Sequence, residues 1–398
     1  MRDVVIAGAV RTAIGRLGGA LAGVPVTELG ATVLKEAVRR AGLTPEDVEE
    51  VIMGHVIQAG TGLNPARQAL LLAGMPVFVP AYTVNKVCAS GMKAVALGAL
   101  SVASGEREIV AVGGMENMSR APHLLPQARS GYPLGDGEVL DAILRDALQD
   151  PVAGYHMGIT AENLAEEFRI SRADQDAFAT RSQEKTKAAQ AGGRFKAEIV
   201  PVEIPQRRGD ALVFLGDEFP RPDTTAEILA TLKPAFKKDG TVTAGNASGI
   251  NYGAAAMILL SADEADRRGI RPMAKILATA SAALQPERMG LGPAPATRAA
   301  LDRAGLTLED MDVIEVNEAF AAQSLAVIRQ LGLDAEKVNL NGGAIALGHP
   351  VGTSGARILV TLLHIMADRG YRLGLATLCV GGGQGMATVV ARTDTVGL

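Results

Sequence analysis

Ala37-Val-Arg-Arg-Ala-Gly-Leu-Thr-Pro-Glu-Asp47 recurs as Ala300-Leu-Asp-Arg-Ala-Gly-Leu-Thr-Leu-Glu-Asp310, and an apolar run follows each copy within a few residues. Chance is a poor explanation for a match of this length. In each copy a glycine, Gly42 or Gly305, stands where a helix ends, because only a residue without Cβ enters the left-handed region freely. Thr44 or Thr307 then caps a new turn, and a strand follows. The chain is therefore read as two similar halves. Two further correspondences keep nearly the same separation. Ser90-Gly91 and Ser354-Gly355 each open a helix, and the strand Ile109 to Val112 with Gly113-Gly114 matches Leu375 to Leu378 with Gly381 to Gly383. Short apolar runs alternate with helix-period segments in both halves, which indicates an α/β fold with mixed or mostly parallel sheets. Between about Met115 and Ala247 the pattern changes to polar, Pro- and Arg-containing stretches. That region reads as a loop-rich insert with helices near Thr160 to Phe168 and Ala173 to Ala191, suited to binding or oligomer contacts.

The bulk features bound the function. A chain of 398 residues is long enough for roughly two to three domains and a large core. Its two cysteines, Cys88 and Cys379, are too few for a disulfide framework or a four-ligand zinc site, which points to a reducing compartment, the cytoplasm. The formal net charge is −4 and the basic residues are scattered, arguing against nucleic acid or an anionic membrane as partner. No uninterrupted apolar stretch reaches the ~18 residues of a membrane span, and the apolar run Val4 to Val10 reads as a buried strand, not a signal peptide. The five histidines show no ligand spacing with carboxylates or thiolates, so no metal is expected.

Four segments carry candidate chemistry. In Val84-Asn-Lys-Val-Cys88-Ala-Ser-Gly-Met-Lys93 an extended run turns into a helix, placing Cys88 at a helix N-terminus. There the free N–H groups and the dipole favour thiolate over thiol; a buried structural cysteine is the competing reading. His349 lies between Gly348 and Pro350 in a Gly-rich loop, on a stiff turn rather than an apolar helix face. No Gly-Lys-Ser or Gly-Lys-Thr follows, which excludes a phosphate loop of that kind. Cys379 sits at a strand end before Gly381 to Gly383, where α/β folds build sites. Ile314-Glu-Val-Asn317-Glu-Ala-Phe320 runs from strand to helix with Asn317 at the cap position, which by itself needs no function.

Together these segments resemble the thiolase family along nearly the whole chain. Val10-Arg-Thr-Ala-Ile-Gly15, Tyr155-His-Met-Gly158, Gly245-Asn-Ala-Ser-Gly249 and Met289-Gly-Leu-Gly-Pro293 match as well. The resemblance implies a layered αβαβα fold. It implies an N-terminal half at 1–118, completed by about 248–270, an inserted loop domain at 119–247, and a C-terminal half at 271–398. It further implies an acyltransferase that joins two acetyl-CoA into acetoacetyl-CoA and CoA, or reverses this, with coenzyme A as substrate and product and no separate cofactor. Cys88 would carry the acyl group, His349 would activate it, and Cys379, with a pKa near the ordinary ~8.5, would move the second proton. His349 and a water on Asn317 would stabilise the enolate. The N–H groups of Cys88 and Gly381 would hold the acyl oxygen. Ser248 and His156 would flank the pantetheine arm, Met157, Met289 and Phe320 would face the acyl end, and Arg221 and Phe236 would add contacts.

The stretch Tyr155-His-Met-Gly158 resembles the short-chain branch that handles acetoacetyl-CoA. A 3-ketoacyl-CoA thiolase of broader chain length is the alternative. A decarboxylating ketoacyl synthase would pair Cys with two His, which Cys379 argues against, and an inactive lipid-binding relative would not need every reactive residue. A homo-oligomer, dimer or dimer of dimers, is implied, with Ser119 to Asp141 as a tetramer contact. One departure from the family pattern is Tyr252, where an Asp is usual.

Overall fold

The repeated segment folds the same way twice in the computed structural model of the chain, in which residues 1–206 and 209–393 are described. The last five residues of the expected C-terminal half lie outside the described residues. From the N-terminus run strand β1 (Val4–Thr12), helix α1 (Val26–Arg40), strands β2 (Glu50–Gly54) and β3 (Ala81–Val84), helix α2 (Ser90–Ser104) and strand β4 (Ile109–Asn117). The insert holds helices α3 (Met157–Glu167) and α4 (Arg172–Ala191), after which strand β5 (Asn251–Ser261) returns to the first half. The second half comprises β6 (Ala274–Ala283), α5 (Pro293–Ala304), β7 (Val313–Val316), α6 (Ala321–Leu331), α7 (Val351–Arg369), β8 (Leu373–Val380) and β9 (Gln384–Arg392).

In both copies of the repeat the helix ends at a glycine of positive φ, Gly42 at 73° and Gly305 at 66°. The Thr44 and Thr307 N–H groups then donate to Asp47 and Asp310 at 2.7 and 2.8 Å, closing the turn before the next strand. The strand order is β7-β8-β9-β6-β1-β5-β4-β2-β3; read outward from the centre, β6-β9-β8-β7 repeats β1-β5-β4-β2, and β3 extends the first half at its outer edge. β2 pairs in parallel with β3 and β4, and β7 with β8. β5 and β9 are antiparallel to their neighbours, so each sheet is mixed. The halves meet where Val5 and Ile6 of β1 pair with Lys275 and Ala274 of β6.

Layering follows from which faces are apolar. Leu29, Val33, Leu34 and Ala37 of α1 cover one face of the first sheet, packing with Val5, Ile258 and Leu260. Ala296, Ala300 and Leu301 of α5 cover the equivalent face of the second, with Leu375 and Val389. Between the sheets lie α2 and α7, whose Val95, Val102, Leu359 and Leu363 share a cluster with Val112 and Leu378. The resulting order is helix, sheet, helix pair, sheet, helix. The window Val87–Ser104, with a mean hydropathy of 1.5, is apolar enough to cross a membrane, but here it is this central core helix.

The helix pair approaches closely because small residues line the crossing. A methyl group on Gly91 would lie 2.9 Å from the Ala356 nitrogen, and one on Gly355 only 2.7 Å from the Met92 nitrogen. Backbone cannot yield as a flexible side chain does. Gly355→Val is expected to cost about 1–3 kcal/mol or more of stability by overpacking, read as a lower midpoint in thermal or urea unfolding. An unchanged midpoint would show that the crossing is not tight.

Candidate active site

Cys88 stands two residues before α2 and His349 two residues before α7, so the helix pair that fills the centre also brings these side chains together. The turn into α2 is bonded internally. The Ser90 hydroxyl donates to the Val87 carbonyl at 2.6 Å, the Lys86 N–H donates to Ser90 Oγ at 2.8 Å, and the Val87 N–H donates to Asn85 Oδ1 at 3.0 Å. Val87 has φ of 47°, a left-handed conformation that strains a β-branched residue. The strained residue immediately precedes the sulfur.

His349 is fixed from two sides. Its N–H donates to Asn251 Oδ1 at 2.8 Å, and its ring Nδ1 lies 2.6 Å from Ser354 Oγ and 3.5 Å from Asn317 Nδ2. Nε2 is buried without a protein partner among the described residues, as is Asn317 Oδ1. Ser354 Oγ also lies 3.0 Å from the Pro350 carbonyl. Its hydroxyl hydrogen can point to that carbonyl or to Nδ1, so the serine accommodates either imidazole tautomer and Nε2 can accept or donate.

Asn317 departs from the helix-cap position expected for it. α6 begins four residues later, behind Phe320. The intervening residues stay extended because they bond to the 246–248 segment: the Ser248 N–H donates to the Ala319 carbonyl at 3.0 Å and the Ala321 N–H to the Asn246 carbonyl at 2.9 Å. The Glu318 carboxylate, held by Ser182, Asn339 and the Ile345 N–H, fixes the segment from the opposite side. Asn317 is thereby free to face the imidazole.

Cys88, His349, Cys379 and Gly381 line one cavity of about 440 Å³. The sulfurs and imidazole form its floor, Cys88 being 8% exposed and Cys379 fully buried, while Arg221 is at the exposed rim. His156, Met157, Phe236, Ser248, Met289 and Phe320 line the same cavity. His156 stacks on Phe236 at 4.6 Å between centroids, and Phe236 meets Phe320 edge-on at 6.1 Å. The His156 Nδ1 accepts the Gly158 N–H at 3.0 Å, capping α3. Sequence reasoning missed Ser354, read only as a helix opener, and the cavity-lining Phe219, whose clue was an aromatic residue two positions from Arg221.

Electrostatics runs against two expectations. Burial pushes the Cys88 thiol up to about 11, although the N–H groups of Gly381 and Cys88 itself point at the sulfur and act the other way. The helix N-terminus is worth ~1 kcal/mol or less at ordinary sites, under one pKa unit of ~1.4 kcal/mol, and desolvation outweighs it here. Cys88 is therefore a thiol at rest. Cys379 likewise lies above the ordinary cysteine range through burial and then the proximity of Cys88, not near an unperturbed value. Burial, with the positive charge of Arg357, lowers His349 to about 3, leaving a neutral imidazole at rest.

Comparison with known proteins identifies the family. Residues 4–263 match the thiolase N-terminal domain and residues 270–392 the thiolase C-terminal domain. The chain belongs to the thiolase family. It is 58% identical over 395 residues to an acetyl-CoA acetyltransferase of Escherichia coli, covering 99% of this chain and 100% of the relative. It is 57% identical to one of Pseudomonas aeruginosa, over 98% of this chain and 100% of the relative. The crystal structure of the Bacillus anthracis acetyl-CoA acetyltransferase superposes with a TM-score of 0.97 at 48% identity, covering 99% of each chain.

Among thiolases this chain is expected to keep Cys88 protonated at rest. In a Cys379→Ala variant, the rate of Cys88 alkylation by iodoacetamide should climb with pH through the ordinary thiol range toward about 11. A plateau reached below neutral pH would show a resting thiolate instead.

Proposed function

We propose that this thiolase is an acetyl-CoA C-acetyltransferase, condensing two acetyl-CoA to acetoacetyl-CoA and CoA and catalysing the reverse cleavage. The observation that carries the reading is the shared floor: two thiols and a neutral imidazole open into one cavity. The full-length relatives bearing the acetyl-CoA acetyltransferase name support it.

In synthesis, Cys88 Sγ attacks the thioester carbonyl as its proton passes to His349 Nε2. The carbonyl oxygen develops charge toward the N–H groups of Cys88 and Gly381, which act as fixed donors. CoA leaves as thiolate and takes a proton from Cys379. The Cys379 thiolate then removes a methyl proton from the second acetyl-CoA, a harder target, and its raised pKa makes it a stronger base for that purpose. His349, now protonated at Nε2, and a water held by Asn317 stabilise the enolate oxygen. The enolate carbon attacks the acyl carbon, the Cys88 sulfur leaves and recovers its proton from His349, and every proton is accounted for. Met157, Met289 and Phe320 crowd the acyl end, and Ser248, His156 and Arg221 accompany coenzyme A toward the rim. This favours a short acyl chain.

A homo-oligomer accompanies this reading. The free edge of β3 carries Tyr82, and Leu63, Val77 and Phe78 are 91%, 75% and 77% exposed. An open apolar edge of this kind suits pairing with a second copy. Leu125, Leu134 and Val139, also exposed, mark the insert as a further contact between dimers. The cytoplasm, where both thiols stay reduced, is the compartment that fits.

Purified protein given acetoacetyl-CoA and CoA should consume the ketoacyl absorbance, and Cys88→Ala should abolish this. Ser354→Ala should lower kcat by about tenfold or more, since a positioned general base contributes at least ~100-fold and the serine orients it. Acetoacetyl-CoA should be cleaved faster than 3-ketodecanoyl-CoA. A much faster long-chain rate would identify a degradative 3-ketoacyl-CoA thiolase.

A further inference from the structure

Tyr252 is fully buried at the start of β5, and its hydroxyl joins three parts of the chain. It accepts the Leu21 N–H at 2.9 Å and donates to Glu218 Oε2 at 3.0 Å. Its ring lies against Gly15, where an added Cβ would be 1.6 Å from the ring carbon Cε2. Glu218 in turn accepts the Arg16 and Ala20 N–H groups at 3.2 Å, and its own N–H donates to the Ile14 carbonyl at 2.9 Å. The carboxylate is thus a knot between the insert and the 14–21 loop, and the tyrosine ties the knot to the sheet.

The residues directly after Glu218 form a wall of the cavity. Phe219 and Arg221 line it, with the Arg221 guanidinium 5.5 Å from the Phe219 ring centre. Phe219 also rests on Gly249, where a Cβ would meet its ring at 2.3 Å. The 219–221 wall is therefore clamped twice by one short segment, at Gly249 through Phe219 and at Tyr252 through Glu218. Between the two clamps, Asn251 bonds the His349 N–H. Wall and catalytic loop thus share a backbone support but separate bonds. Tyr252 touches neither sulfur nor imidazole and does not line the cavity.

We propose that Tyr252 is a positioning residue that sets the rim of the cavity through Glu218, tuning capture of the long coenzyme A handle without entering the chemistry. This rests on the proposed function, since it presumes a coenzyme A thioester as substrate. The carrier is the discriminating variable, because acetoacetyl-N-acetylcysteamine delivers the same acyl group to the floor but lacks most of the coenzyme A handle that the 219–221 wall would guide.

The test measures thiolysis of both substrates by wild type, Tyr252→Phe and Glu218→Ala. Tyr252→Phe is expected to raise KM for acetoacetyl-CoA roughly three- to tenfold, the effect of one lost hydrogen bond. KM for the truncated substrate and kcat for both should stay within about twofold, as for a lost contact outside the transition state. Glu218→Ala, altered at a half-buried position, should give the same selective rise and covers the case in which Tyr252→Phe fails to fold. Equal KM changes for both substrates, a fall in kcat at constant KM, or no change would overturn the proposal. Wild type inert toward acetoacetyl-CoA would overturn the proposed function with it, whereas active wild type with unmoved variants would overturn the Tyr252 role alone.

Discussion

Everything at the site depends on how closely α2 and α7 pass each other. The crossing at Gly91 and Gly355 allows both N-termini to end at the same place, and Cys88 and His349 stand just ahead of those ends. Larger residues there would push the helices apart and separate sulfur from imidazole, although neither Cys88 nor His349 had changed. The repeat explains why the arrangement exists: each half supplies one central helix, and the halves pack those helices on each other. Cys379 comes from the strand next to α7, so three chemical groups distant in sequence share one floor.

The floor is buried, and that determines its resting charge. Desolvation raises both thiols and lowers the imidazole, so the free site holds three neutral groups. A neutral site avoids the cost of buried unpaired charge. In the proposed reaction charge then appears only as a substrate reacts, beside the sulfur at which the N–H groups of Cys88 and Gly381 point. The helix N-terminus therefore serves developing charge more than a standing thiolate. Strain at Val87 is consistent with a turn held for function, since internal bonds from Ser90 and Asn85 maintain it.

Much of the fold was legible because the repeat writes the same instructions twice. Gly42 and Gly305 end their helices, and Thr44 and Thr307 open their turns, as local chemistry dictates. Cys88, His349 and Cys379 were legible as residues at turns and strand ends. Errors arose where a distant partner decided the outcome. Asn317 carries a local cap signature, but pairing with residues 246–248 holds it extended, and the cap passes to Phe320. The thiolate expectation weighed the dipole, which sequence shows, without the burial, which only packing shows. Ser354 and Tyr252 act through partners that sequence order does not reveal, the second through Glu218, 34 positions away. The remaining cavity lining was legible only through family resemblance, since Met and Phe at such positions otherwise read as core.

The central claim is that Cys88, and not Cys379, carries the acyl group. Protein quenched in acid after brief exposure to acetyl-CoA can be digested and its peptides weighed. One acetyl group should be found on the peptide containing Cys88, discharged when CoA is added before the quench. Acetyl on the Cys379 peptide, or an unmodified Cys88 peptide in protein that is turning over, would contradict the account.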